Sequence, residues 1–275
     1  RVERSRYAVH VMYGSSIMVF GNELQRNLSG LVLMSTSGVT AGRNAIVDAR
    51  SPGTGFGVVV KDVVTVRLAE NLIARNRVGL QAEGTVNRVD AEAAVVSNRF
   101  ASNDVGVALM PSADLVFGGN EFDMNLTQVA SLGPGVELRN HWTVRGIGNT
   151  WSDYRGYDLA ADGTGDVPYR AAGVGEQVML ANPRLAAYRA SPALALLATS
   201  QSVWEGRAQP VVIDTSPRIA QLGTAAAPRV EAAEASPGPW WAAAAGLVGL
   251  VLLTVRAARR GTSRPAPSSG RATAA

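Results

Sequence analysis

The 275-residue chain has no cysteine. Disulfides, thiolate metal centres and cysteine nucleophiles are therefore excluded, while the compartment stays open. Aromatic residues make up only 6% of the chain, and five of them fall between Trp142 and Tyr169. There is no initiator Met; the chain opens at Arg1, inside what reads as a strand or turn, so earlier rungs and any signal peptide are expected to be missing. The body also lacks surplus charge. The net +4 arises in the tail, where Arg256, Arg259, Arg260, Arg264 and Arg271 follow Trp240 without any acid. Residues 1 to 239 hold 21 basic and 22 acidic side chains, so composition offers no basic face for nucleic acid.

What the chain does have is a repeat. Six rungs can be laid on one another from Tyr7 to about Leu132, with asparagines at Asn22, Asn44, Asn71, Asn98 and Asn120. A glycine and an alternating apolar run follow most of them, as in Gly30-Leu-Val-Leu, Gly57-Val-Val-Val and Gly106-Val-Ala-Leu. Asn to Gly is 8 residues at Asn22/Gly30, Asn71/Gly79 and Asn98/Gly106; Gly to Asn is 14 at Gly30/Asn44, Gly57/Asn71 and Gly106/Asn120. The basic rung is thus 22 residues, and two rungs carry 5 extra, near Ser51–Gly55 and between Thr85 and Ala94. A fixed period with point insertions marks a solenoid.

The period within each rung is two, as in half-buried strands, and Gly, Asn and Ser punctuate the runs. Two residues after each ladder asparagine stands a large apolar residue: Leu24, Ile46, Ile73, Phe100, Phe122. Five residues after come Asn27, Asn76, Asn103 and Asn125, with Ala49 the exception. Strands stacked about 4.8 Å apart would let such amides hydrogen-bond along the axis. The fold class predicted is all-β, a right-handed parallel β-helix. A leucine-rich horseshoe is excluded because its L-x-x-L-x-L signature is absent.

The organisation expected is rungs over 1–138, a cap over 139–221, a linker over 222–239, a transmembrane helix over 240–256 and a basic cytoplasmic tail over 257–275. Trp142, Trp151, Tyr154 and Tyr157 supply lid material for the exposed end of the coil. Ser191-Pro-Ala-Leu-Ala-Leu-Leu-Ala reads as a short helix, with Ser191 as N-cap and Pro192 in the first turn. Trp240 to Val255 is uncharged, with two Trp at one end and arginines beyond the other. That pattern predicts a single-pass anchor with the coil on the extracytoplasmic side.

The block Gly148-Asn-Thr-Trp-Ser-Asp-Tyr154, then Gly156-Tyr-Asp158, Asp162-Gly-Thr-Gly-Asp166 and Pro168-Tyr169, resembles the signature of the NosD family. The resemblance spans roughly residues 7 to 220. It implies an extracytoplasmic accessory β-helix for copper-site maturation of nitrous oxide reductase. It also implies docking on an ABC transporter (permease and ATPase) and cooperation with a lipoprotein copper chaperone.

Two sites are expected. Leu31 and Leu33 point inward, so Val32 and Met34 point outward, and the 22-residue period puts Met12 in the Met34 column with His10 on the same face. An imidazole and two thioethers suit Cu(I), so His10, Met12 and Met34 are the candidate copper patch. Asp158, Asp162 and Asp166 resemble a calcium loop, with Ala160 where a further oxygen ligand would stand. His141 reads as a packed or solvated cap residue. The outward columns, Met12-Met34-Lys61-Glu83-Met110 and His10-Val32-Val59-Gln81-Ala108, hold no row of carboxylates and no nucleophile–base pair. A non-enzymatic role is expected; the alternatives are a polysaccharide-binding or polysaccharide-modifying β-helix and a structural surface scaffold.

Overall fold

A computed structural model describes residues 1–85, 93–133, 139–171 and 211–219, and the named elements among them are all strands. Contact clustering separates residues 1–229 from residues 230–275, and every described residue lies in the first unit. The Ser191 helix, the linker, the membrane segment and the basic tail lie outside the described residues. Among the described residues no helix is long and apolar enough to cross a membrane.

Three parallel sheets run side by side along the coil. The first stacks Val2–Glu3, Glu23–Gln25, Ala45–Val47, Leu72–Ala74, Arg99–Ala101, Glu121–Asp123 and Thr150–Trp151. The second stacks Tyr7–Met12, Ser29–Met34, Phe56–Lys61, Val78–Glu83, Val105–Leu109 and Thr127–Ser131. The third stacks Ser15–Phe20, Ser37–Gly42, Val64–Ala69, Ala94–Val96 and Val116–Gly118. Each chain turn contributes one strand to each sheet, which is the parallel β-helix read from the repeat. An antiparallel pair, Tyr169–Ala171 with Val212–Asp214, follows the coil.

The asparagines flank the three-residue strands of the first sheet on both sides. Asn98 Oδ1 accepts from the backbone N and Nδ2 of Asn71 at 3.0 and 2.9 Å. Asn98 Nδ2 donates to Leu68 O at 2.9 Å and to Asn120 Oδ1 at 3.1 Å. Asn22, Asn44, Asn71, Asn98, Asn120 and Asn149 form one such chain of amides. Asn76, Asn103 and Asn125 form the second. Each amide saturates corner N–H and C=O groups that burial would otherwise leave unpaired. Ala49 interrupts the second ladder, yet its N–H still bonds Asn76 Oδ1 at 2.9 Å.

The repeated glycine has an equally local cause. A Cβ on Gly57, Gly79 or Gly106 would stand 2.7, 2.4 or 2.6 Å from the carbonyl oxygen of the next rung. The backbones approach there more closely than any side chain permits. Between the ladders, Leu24, Ile46, Ile73, Phe100 and Phe122 stack inward at 0–1% exposure, as the sequence columns predict. Phe100, Phe122, Trp151 and Tyr169 carry the stack to the C-terminal end at ring separations of 5.1, 4.2 and 4.2 Å.

The coil continues past the boundary expected at 138. Thr150–Trp151 extends the first sheet and His141 bridges Val116 in the third. The Asn120-to-Asn149 step is 29 residues, which hides this rung from a 22-residue period. Trp142 and Trp151 are buried and Tyr154 packs against the core, but Tyr157 is 56% exposed and is no part of the lid. Tyr169 occupies that place instead, stacked on Trp151.

Replacing Asn98 by Ala removes an amide from mid-ladder and strands partners on both neighbouring rungs. A loss of about 3 kcal/mol is expected. Asn22→Ala, at the half-exposed first position, should cost under about 1 kcal/mol. Urea unfolding midpoints compare the two, and equal losses would contradict a cooperative ladder.

Candidate functional site

Backbone register places the expected copper donors on one patch. Met12 pairs with Met34, and His10 with Val32, in adjacent strands of the second sheet. Met12 is 42% exposed, His10 is exposed and Met34 is half-buried. The His10 ring leans on Tyr7 with centroids 4.9 Å apart, so Tyr7 and Met12 flank it along the strand. Beyond Met34 the column reads Lys61 and Glu83, joined by a 3.1 Å ion pair. That pair separates the two N-terminal sulfurs from Met110. The donor chemistry fits a soft, exchangeable ion at an exposed face. Val32 departs from expectation: it sits on the outward column yet is 3% exposed.

The acidic loop is arranged differently. Asp158 Oδ2 accepts from Gly163 N at 2.8 Å, Asp162 Oδ1 from Thr164 N at 2.8 Å, and Asp166 Oδ2 from Leu159 N at 2.6 Å. The three carboxylates thus turn onto the loop's own amides. Among the described residues no group of three or more His, Asp or Glu side chains could hold a metal ion. His141 is exposed, with its backbone in the third-sheet ladder.

A residue that the sequence reading missed closes the coil. Asp214 is 0% exposed. Its Oδ2 accepts from Asn149 N at 2.7 Å, Asn149 Nδ2 at 3.1 Å and Trp151 Nε1 at 3.0 Å. Its Oδ1 accepts from Ser216 N at 3.1 Å and Thr143 Oγ1 at 3.4 Å. The carboxylate ends the asparagine ladder by absorbing donors for which no further rung is present among the described residues. Gly148 has no Cβ because one would lie 2.2 Å from Asp214 Oδ1.

The rest of the block has the same kind of task. Ser152 Oγ accepts from Met124 N and Gln128 Nε2, and Asp153 Oδ2 accepts from the Tyr169 hydroxyl. The Tyr154 hydroxyl donates to Val167 O at 2.6 Å, and a Cβ on Gly156 or Gly165 would collide with the Tyr154 ring. Gly148 to Tyr169 is therefore a built closure of the coil. A lone Asp in Val211-Val-Ile-Asp carries no sequence signal for this role.

Electrostatics concentrate on the first sheet and its corner with the second. Asp48 grips Arg75 through two 2.8 Å bonds, and this contact raises the guanidinium pKa. Burial pushes the Glu121 carboxyl up, against the pull of Arg99. The Arg26 guanidinium holds the Glu3 carboxyl below its ordinary value.

The coil is thus a parallel β-helix with an asparagine spine, an aromatic-stacked end, and His10, Met12 and Met34 on one face of its second sheet. Residues 1–156 match the sequence model of a family described as "Periplasmic copper-binding protein (NosD)", and the chain belongs to that family. It is 28% identical over 167 residues to a "Probable ABC transporter binding protein NosD" of Pseudomonas aeruginosa, covering 57% of this chain and 37% of that protein. It is 31% identical over 119 residues to a protein of the same description from Stutzerimonas stutzeri, covering 43% of this chain and 26% of that protein. The matches span about a third or less of these relatives' length.

Asp214→Ala should destabilise the chain by about 3 kcal/mol, because three or more buried donors at the coil end lose a charged acceptor. The Trp151 indole should report the change through altered fluorescence. Wild-type stability in this variant would show that the coil end needs no carboxylate.

Proposed function

We propose that this chain is the extracytoplasmic binding component of an ABC-transporter-linked system that delivers copper to nitrous oxide reductase. In this reading it receives Cu(I) from a lipoprotein chaperone, docks on the transporter permease and ATPase assembly, and catalyses no reaction itself. Segment 240–256, uncharged from Trp240 to Val255, would serve as its membrane anchor. The family's periplasmic copper-binding description and the transporter-binding names of the relatives support this role.

The observation that carries it to residues is the in-register pairing of Met12 with Met34 beside His10 on an exposed face. Copper here is cargo. Two thioethers and one imidazole offer Cu(I) a soft, incomplete shell, which lets a partner complete the coordination and draw the ion away. Lys61 and Glu83 neutralise each other next to the patch, so the adjacent field is small. Asp158, Asp162 and Asp166 are left out of the copper reading. Each of those carboxylates already accepts an amide of its own loop, which gives the turn a fold without any ion.

The test is a competitive Cu(I) titration of the full chain against its His10→Ala/Met12→Ala/Met34→Ala variant. Affinity should fall by about tenfold or more. The affected side chains face outward, so melting should barely move; unchanged affinity would overturn the assignment of these residues.

A further inference from the structure

Six arginines that are scattered in sequence share one corner of the coil. Arg4, Arg26 and Arg75 occupy the first position after successive strands of the first sheet, with Asp48 between them in the same column. Arg6 and Arg77 follow two residues later on their rungs, and Arg50 enters at the same corner with the five-residue insertion. Two carboxylates neutralise part of this set: Glu3 pairs with Arg26 and Asp48 with Arg75. Asp104, one rung further on, acts on Arg77, and Arg1 shares Glu3 and Glu23 at the coil's first rung. The corner stays net positive, although residues 1–239 together carry one more acid than base.

Three of these cations are held in place by uncharged groups, although Asp104 also acts on Arg77. Arg50 Nε donates to Arg75 O at 2.9 Å and its Nη2 to Ser102 O at 3.3 Å. Arg77 donates to Thr54 O and lies over the Phe56 ring, 4.9 Å from its centroid. Arg6 lies over the Tyr7 ring at 5.1 Å. Carbonyl oxygens and ring faces fix a guanidinium while leaving its full charge available. Leu28, 41% exposed, stands between Arg6 and Arg50 along the ridge.

We infer that this arginine corner is a docking ridge for an acidic, extended segment of a partner protein laid along the coil axis. Fixed guanidinium forks at rung spacing suit carboxylates held on a chain, which they can grip bidentately. A lipid surface meets a plane of mobile headgroups and gains nothing from a pre-set line of forks. Leu28 adds an apolar contact in the middle of the ridge. The inference rests on none of His10, Met12 and Met34, although the Tyr7 ring touches both Arg6 and His10.

The probe is fluorescent poly-L-glutamate, titrated by anisotropy against the full chain at low and at physiological salt. Arg6→Glu/Arg50→Glu should weaken binding by about tenfold or more, and added salt should weaken the wild type. Arg43→Glu/Arg67→Glu, an equal charge change away from this corner, should stay within about twofold of wild type. Arg6→Gln/Arg50→Gln guards against misfolding and should lie between the two. Equal losses in both reversed variants would reduce the ridge to bulk charge, and no loss in either would also overturn it. Phosphatidylglycerol vesicles form the second arm. Tighter binding to them than to poly-L-glutamate, lost in the same Arg6/Arg50 variant, would assign the ridge to a membrane and overturn the peptide reading.

Discussion

The structure depends on one constraint: a coil that turns three times per rung buries backbone amides at corners where no strand pairs them. The chain answers with side-chain amides. An asparagine has two donors and two acceptor sites, and in the ladders it spends them on the rung before, the rung after and its own corner. The ladder fixes the register, and the register decides everything else. It sets Leu24 over Ile46, brings Met12 beside Met34, and lines up the corner arginines. A one-residue slip would turn the apolar column outward and disperse both surface features.

The same constraint explains the block after the repeats without assigning it any chemistry. A ladder needs an end. Asp214 provides it with two carboxylate oxygens that accept and never donate, matched to the surplus of N–H groups on Asn149 and Trp151. Glycine at 148 admits the carboxylate, and Trp151 and Tyr169 seal the apolar column. The block that carries the sequence resemblance is thus a structural closure. The proposed copper patch and arginine ridge lie elsewhere, on the second sheet's outer face and its corner with the first sheet.

Much of this was legible in the sequence, for a definite reason. A period of two within rungs and 22 between them is a ruler, and it placed Leu24, Ile46, Ile73, Phe100 and Phe122 inside and His10, Met12 and Met34 on one face. The ruler failed where spacing changed. The rung holding Asn149 was assigned to the cap because its step is 29 residues. Aromatic clustering points to Tyr157 as lid material, yet its side chain is exposed and its carbonyl accepts from Asp166 N at 2.9 Å. Val32 was correctly aimed outward, but no pattern of alternation predicts its burial. The arginine ridge was invisible to composition, because a balance summed over the whole body erases a local excess.

Asp214 lies 65 residues beyond the asparagine it completes, while successive rungs are joined over 22 to 29 residues. Short loops close at small entropic cost and long ones at more. The rungs can therefore pair by short-range closures, while the seal at the coil's end waits on a long one. Severing the chain between residues 171 and 211 would leave every rung contact in place and cost the coil only its stopper.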